Sequence, residues 1–141
     1  MLEKIMQTPL AKFEIDAGDV LHGLKIGDAG YKCFGEVYFS FIKSSAVKAW
    51  KLHKNMTLNL IVPIGSVRFV FIDPKYLDQF KIIEIGESNY SRITVPPKIW
   101  FGFQGISYSS NMVVNVADIK HDPKESEKRE MDYFGYKWTK E

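Results

Sequence analysis

The sequence predicts an all-β fold, a sandwich or jelly roll. Three observations predict it. Apolar and polar residues alternate in short runs, as on half-buried strands. Gly, Pro, Asn and Asp turn signals recur roughly every 8–12 residues. Aromatic residues make up 14% of the chain, and many sit in those alternating runs, where β-propensity favours them.

Residues 6–35 are punctuated by Gly18, Gly23, Gly27, Gly30 and Gly35, so we read one or two short strands there, near 11–15 and 22–25. Over 36–42 the period is two: Val37, Phe39 and Phe41 point one way, Tyr38 and Ser40 the other. After a turn at 43–46, strands follow at 47–53, 56–64 and 67–73. The pair around 63–66 reads as a hairpin with Gly65 at its tight position. Residues 73–78 form a loop or one helical turn. Further strands fall at 80–85, 91–95, 100–104 and 112–116, separated by Gly86, Asn89, Pro96-Pro97 and Gly105. Only 123–130 reads as a helix, with Lys124/Lys128 and Glu125/Arg129 at i,i+4 spacing. The aromatic tail, 132–138, is expected to pack back on the barrel. With 141 residues and no linker, repeat or low-complexity segment, 1–141 is expected to be one domain.

Composition narrows the function. Net charge is +2, from 19 basic and 17 acidic residues that are interspersed; a nucleic-acid surface would be more basic and clustered. One cysteine, Cys33, allows no intramolecular disulfide and suits a reducing compartment. No apolar run approaches the ~20 residues of a membrane span, and residues 1–7 lack the apolar core of a signal peptide. The expectation is a cytoplasmic protein without nucleic-acid or membrane partners.

No phosphate-binding glycine loop, Cys-x-x-Cys or His-x-x-x-His is present. Of the three histidines, His22 and His121 fall in loop-like or edge contexts, and His53 ends a strand. Strand alternation places Val47, Ala49, Lys51 and His53 on one face. A hairpin over 43–46 would bring Tyr38 opposite Lys51 or His53. A neutral imidazole is a competent base near pH 7, a phenol donates a proton, and an ammonium stabilises an oxyanion or holds a phosphate. Each residue also has a structural reading: a hydrogen-bonded histidine, a wall tyrosine, a lysine reaching solvent.

Several segments resemble the dTDP-4-dehydrorhamnose 3,5-epimerase family of cupins. They include Phe34-Gly35-Glu36-Val37-Tyr38, Val47-Lys48-Ala49-Trp50-Lys51-Leu52-His53-Lys54, and Val95-Pro96-Pro97-Lys98-Ile99-Trp100-Phe101-Gly102-Phe103. His121-Asp122-Pro123-Lys124-Glu125 and Tyr136-Lys137-Trp138 complete the set. The resemblance spans 35–138. It implies a cupin jelly roll, a double-stranded β-helix, forming a homodimer and using neither metal nor cofactor. The substrate it implies is a nucleotide-diphosphate sugar, dTDP-linked: a 4-keto-6-deoxyhexose inverted at C3, C5 or both through enolates, for surface polysaccharide, lipopolysaccharide or deoxysugar-bearing metabolites. His53 matches the family base, and Asp132 is the nearest candidate for its carboxylate partner. Where metal-binding cupins begin their histidine pair, this chain has Lys51, a poor ligand. Candidate ligand contacts are Lys48, Lys51, Arg68 and Arg92 for a diphosphate, Trp50 and Trp100 for stacking, and Asn115 on a late strand.

The chain departs from the epimerase pattern. Leu58 or Asn59 stands at the position of a family lysine, and Val114 at that of the late-strand tyrosine. The spacing after His53 and the run Lys51-Leu52-His53-Lys54 also look like the dTDP-sugar 3,4-ketoisomerases, in which a tyrosine matching Tyr38 is used. Three readings stay open: an epimerase, a 3,4-ketoisomerase, and a non-catalytic sugar-nucleotide-binding cupin.

Overall fold

Two five-stranded antiparallel sheets pack face to face in the computed structural model of the chain, which describes residues 1–139. The strands are β1 (Met6–Pro9), β2 (Lys12–Phe13), β3 (Val20–Leu21), β4 (Glu36–Phe41), β5 (Val47–His53) and β6 (Leu58–Ile64). They continue with β7 (Ser66–Ile72), β8 (Phe80–Gly86), β9 (Ser91–Val95), β10 (Trp100–Gly105), β11 (Met112–Ala117) and β12 (Ser126–Lys128). One sheet has the order β1-β9-β6-β11-β4, the other β12-β5-β10-β7-β8; β2 and β3 form a small separate ribbon. From β4 onward the chain changes sheet at every connection except β7–β8, which makes this the cupin jelly roll.

That topology corrects two expected hairpins. β4 and β5 lie in different sheets, as do β6 and β7. The turn signals at 43–46 and Gly65 mark corners between the sheets. Gly65 has φ +82°, and a Cβ there would lie 2.1 Å from the Ser110 carbonyl oxygen. Asn111 fastens this corner: its Oδ1 accepts from the N–H groups of Ser66 and Ser107, at 2.9 and 3.0 Å.

The expected helix over 123–130 is also corrected. Only Pro123–Glu125 makes a 3-10 turn, capped by Asp122, whose side chain accepts from Lys124 N. The chain then extends as β12 along the free edge of β5, pairing Ser126 with His53 and Lys128 with Lys51. The single favourable i,i+4 pair, Glu125/Arg129, adds only tenths of a kcal/mol to a helix and the like-charged Lys124/Lys128 pair opposes it, whereas an open strand edge offers a ladder of backbone partners.

Alternation sets the inner faces. Leu58, Leu60 and Val62 of β6 meet Phe69, Phe71, Ile83, Ile85 and Phe101 of the other sheet in the main core. On β4, Tyr38 and Ser40 face in, while Phe39 and Phe41 are 61% and 64% exposed. Outside the second sheet, Trp50, Leu52, Val70, Ile72 and Trp100 form a second apolar cluster, covered by Phe134, Tyr136 and Trp138 of the tail. Outside the first sheet, buried Arg92 donates to Asn59 Oδ1 and to the Gly23 and Ala29 carbonyls, fastening the 23–29 loop to the sheet.

A β-bulge in β5 alters the expected face set. Phe101 pairs with Lys51, but Gly102 pairs with Ala49, so Trp50 is the extra residue. Cross-strand partners share a face. Lys48 therefore lies with Phe103, and Lys51 with Phe101, on the inner side; Val47 and Ala49 do not share that face. Gly102 is required at this crossing, since a Cβ there would meet the Ala49 Cβ at 2.5 Å.

The Gly65 corner is testable. We expect Gly65→Ala to cost about 2–4 kcal/mol, from a strained φ together with backbone overlap. Denaturant unfolding of the two proteins measures it.

Candidate active site

The residues that face inward near the β4–β5 end enclose a cavity of about 270 Å3. Leu60, Phe101, Phe103 and Val113 make an apolar floor, and Tyr38, Lys48, Lys51, His53, Asn115 and Lys128 bring polar groups to it. Tyr38 and Asn115 come from one sheet and the lysines and histidine from the other, so the site straddles the sandwich.

His53 is 7% exposed and stacks on Phe101 with ring centroids 6.1 Å apart. Its Nδ1 is hydrogen-bonded to Glu125 Oε1. The other carboxylate oxygen accepts from the N–H groups of Asn55 and Met56, at 3.1 and 3.2 Å. The Glu125 main chain is held as well, its carbonyl accepting from Lys54 N at 2.7 Å. Glu125 is 5% exposed. Burial alone would raise its pKa, but the bonds from His53, Asn55 and Met56 outweigh burial and lower it. Burial lowers the pKa of His53, against the opposing pull of Glu125. The pair is thus a carboxylate beside a neutral imidazole. Nδ1 carries the proton toward Glu125, and Nε2 keeps its lone pair for the cavity.

Around this dyad the charges are arranged for an anion. Burial lowers the Lys51 pKa, and the nearby Lys128 ammonium lowers it further. Lys48 Nζ donates to the Phe41 carbonyl at 2.8 Å, at the same rim. Burial raises the Tyr38 pKa and keeps the phenol protonated; its hydroxyl receives Asn115 Nδ2 at 3.4 Å.

Of the sequence candidates, Tyr38, Lys48, Lys51, His53 and Asn115 meet at the cavity, and Trp50 borders it at the bulge while its ring packs in the outer cluster. Four do not. Asp132 is exposed in the tail, and Glu125 holds His53 instead. Arg68 pairs with Gln104 on the outer face of β7 and bridges Glu84 at 3.1 Å, because its neighbours Phe69 and Phe71 take the inward positions. Arg92 is buried outside the opposite sheet, its guanidinium used by loop carbonyls. Trp100 packs in the outer cluster with Arg129 5.1 Å over its ring. Sequence reasoning missed Glu125 and Lys128 as site residues, having placed both on a helix. The Asp122-Pro123-Lys124-Glu125 run was their signal. Among the described residues no three His, Cys, Asp or Glu side chains gather as a metal site.

A jelly roll whose inner cavity holds a carboxylate-backed neutral imidazole, a half-buried phenol and clustered lysines is a proton-transfer enzyme scaffold of the cupin class. No protein-family model matches the chain, and no curated protein matches it. Solved structures do. A dTDP-sugar isomerase from Desulfovibrio desulfuricans G20 is 31% identical, with a TM-score of 0.90 over 96% of this chain and 91% of that one. The sugar 3,4-ketoisomerase QdtA from Thermoanaerobacterium thermosaccharolyticum, in complex with TDP, has a TM-score of 0.77 at 18% identity, over 95% of this chain and 93% of that one. A dTDP-4-dehydrorhamnose 3,5-epimerase from Sulfolobus tokodaii has a TM-score of 0.81 at 19% identity, over 94% of this chain and 80% of that one. The last two share the fold. The chain belongs to the dTDP-sugar isomerase family.

Both members of the dyad have lowered pKa values, so the unfolded chain binds protons more readily than the folded one as pH falls. We expect stability to decline as pH falls below the ordinary histidine value of 6.5, and again below the ordinary glutamate value of 4.5. His53→Gln removes the first decline; unfolding free energies measured from pH 8 to pH 4 would show it.

Proposed function

We propose that the protein is an isomerase of a dTDP-linked 4-keto-6-deoxyhexose, working by proton transfer beside the ketone. The observation that carries this is the His53–Glu125 dyad, with Nε2 left for a cavity that also holds Tyr38. The cavity volume, about 270 Å3, is just below the ~300 Å3 lower end of small-ligand pockets. It suits the sugar end, with the diphosphate against Lys48, Lys51 and Lys128 and the nucleoside toward solvent.

The outcome best supported is a 3,4-keto shift. His53 Nε2 takes the C3 proton, the C–H electron pair becomes the C3–C4 double bond, and the carbonyl oxygen takes the Tyr38 proton. The enediol then returns its O3 proton to Tyr38 as the imidazolium delivers its own proton to C4. Protons and electrons balance with no outside oxidant or reductant. Two observations favour this outcome: the ketoisomerase match extends over 93% of that chain, and Val114 lies outside the cavity, leaving no tyrosine on β11. A second reading is inversion at C3 or C5. It is supported by Tyr38 and His53 rising from opposite sheets, an arrangement that suits an acid and a base working on opposite faces of a ring.

Product NMR in D2O decides between them. A keto shift gives a 3-keto sugar, with deuterium at C4 only to the extent that the imidazolium exchanges with solvent, and inversion gives a new epimer with deuterium at the inverted carbon. His53→Asn should lower turnover by about 1,000-fold or more, and Tyr38→Phe by about 100-fold. Binding of the nucleotide sugar with neither product formed nor deuterium exchanged in the wild type would instead fit a non-catalytic binding cupin.

We also propose a homodimer, as the family resemblance implies. Phe39 and Phe41, 61% and 64% exposed on the edge strand β4, and Phe13 and Ile15, 51% and 52% exposed on the N-terminal arm, would be covered by a second copy. Light scattering should give twice the chain mass, and Phe39→Glu should shift it toward one; a monomeric wild type contradicts the proposal.

A further inference from the structure

Asn115 is the polar residue on the inner face of β11, between Val113 and Ala117, both buried in the main core. Asparagine is disfavoured in strands, and a leucine would fill the same space without a polar atom to satisfy. The residue is 6% exposed and lines the cavity. It stands directly across from Tyr38 in the β11–β4 register. Its Nδ2 donates to the Tyr38 hydroxyl at 3.4 Å. Its Oδ1 is fully buried and has no hydrogen-bond partner. Buried acceptors are nearly always paired, and an unpaired one destabilises the fold that carries it. An amide tied at one end to the candidate proton donor, and unpaired at the other within the wall of a cavity, is the kind of local conflict that functional sites retain.

We infer that Asn115 is a two-sided positioning residue that reads a hydroxyl group on the sugar ring. Its nitrogen holds the Tyr38 oxygen as an acceptor, so the phenolic hydrogen turns to the ligand. Its unpaired oxygen, brought to the cavity surface by a small shift of the side chain when ligand binds, accepts a hydrogen bond from a ring hydroxyl. Met56 Sδ, 3.9 Å from the phenol, is a weak acceptor and competes little for that hydrogen. The inference rests on the nucleotide-sugar reading and adds a specificity to it: the preferred substrate carries a free hydroxyl at the ring position facing Asn115, and a sugar deoxygenated there is discriminated against.

The test compares dTDP, which lacks a sugar, with dTDP-quinovose, which has one but no ketone to react. Calorimetry on the wild type should show dTDP-quinovose binding more tightly than dTDP. Asn115→Leu should remove about tenfold of that sugar-dependent gain and leave dTDP affinity unchanged. Asn115→Asp, which keeps the acceptor and the shape, should retain the gain in binding. Turnover should still fall, because its carboxylate draws the Tyr38 hydrogen away from the substrate. The thermal midpoint of ligand-free Asn115→Leu should be equal to or above that of the wild type, since an unpaired buried atom is gone. If Asn115→Leu weakens dTDP and dTDP-quinovose alike, or neither, the assignment of Asn115 is overturned while the nucleotide-sugar reading stands. A fall in midpoint of more than about 4 °C with the sugar preference intact marks the amide as structural and overturns it too. Wild-type protein that binds neither probe refutes the nucleotide-sugar reading, and this inference with it.

Discussion

The contact between His53 and Glu125 is what the rest of the site depends on. A buried carboxylate is costly unless its oxygens are hydrogen-bonded. Here both are occupied, one by the imidazole and one by the Asn55 and Met56 N–H groups. Those bonds keep Glu125 ionised and aim Nδ1–H at it, which fixes the tautomer and leaves Nε2 basic toward the cavity. Without the carboxylate, a buried imidazole beside three lysines has nothing to orient it and little reason to accept a proton.

Topology is what delivers that contact. Glu125 lies 72 positions from His53, and the two meet because β12 closes the open edge of β5, setting Ser126 opposite His53. The same strand brings Lys128 opposite Lys51, so one short edge strand supplies both the anion that activates the base and a cation for the ligand. The bulge at Trp50 complements it. By inserting one residue it turns Lys48 inward with Lys51 and sends the Trp50 ring outward to receive the aromatic tail. The inner face is thereby charged at its rim, while the outer face is sealed by Phe134, Tyr136 and Trp138.

Strands were legible because period-two alternation is a local signal: 36–42 reads correctly to within a residue, and 91–95 matches β9. Which strands pair was not legible. A glycine at φ +82° serves a hairpin or a corner equally well, so Gly65 announced a turn without saying which sheet came next. The bulge leaves no mark in the residues of β5, and the face set built on strict alternation was therefore wrong before Trp50. Tyr38, Lys51 and His53 were still brought together, because inward-facing positions on opposite sheets of a sandwich share one interior. The carboxylate was misplaced for a related reason. Helical spacing in 124–129 concealed a strand, so Glu125 did not enter as a partner for His53 and Asp132 stood as the nearest candidate. Arg68 and Arg92 carried the right charge for a phosphate, but they lie on faces that open away from the cavity.

The central claim is that His53 is a neutral imidazole protonated at Nδ1, with Nε2 free toward the ligand. 15N NMR of the histidine side chains reads this directly. Above pH 7 the account predicts that His53 shows a protonated Nδ1 and an unprotonated Nε2, and that the Glu125→Gln variant loses this single-tautomer pattern. A wild-type His53 that carries its proton on Nε2, or that is an imidazolium at that pH, would contradict it.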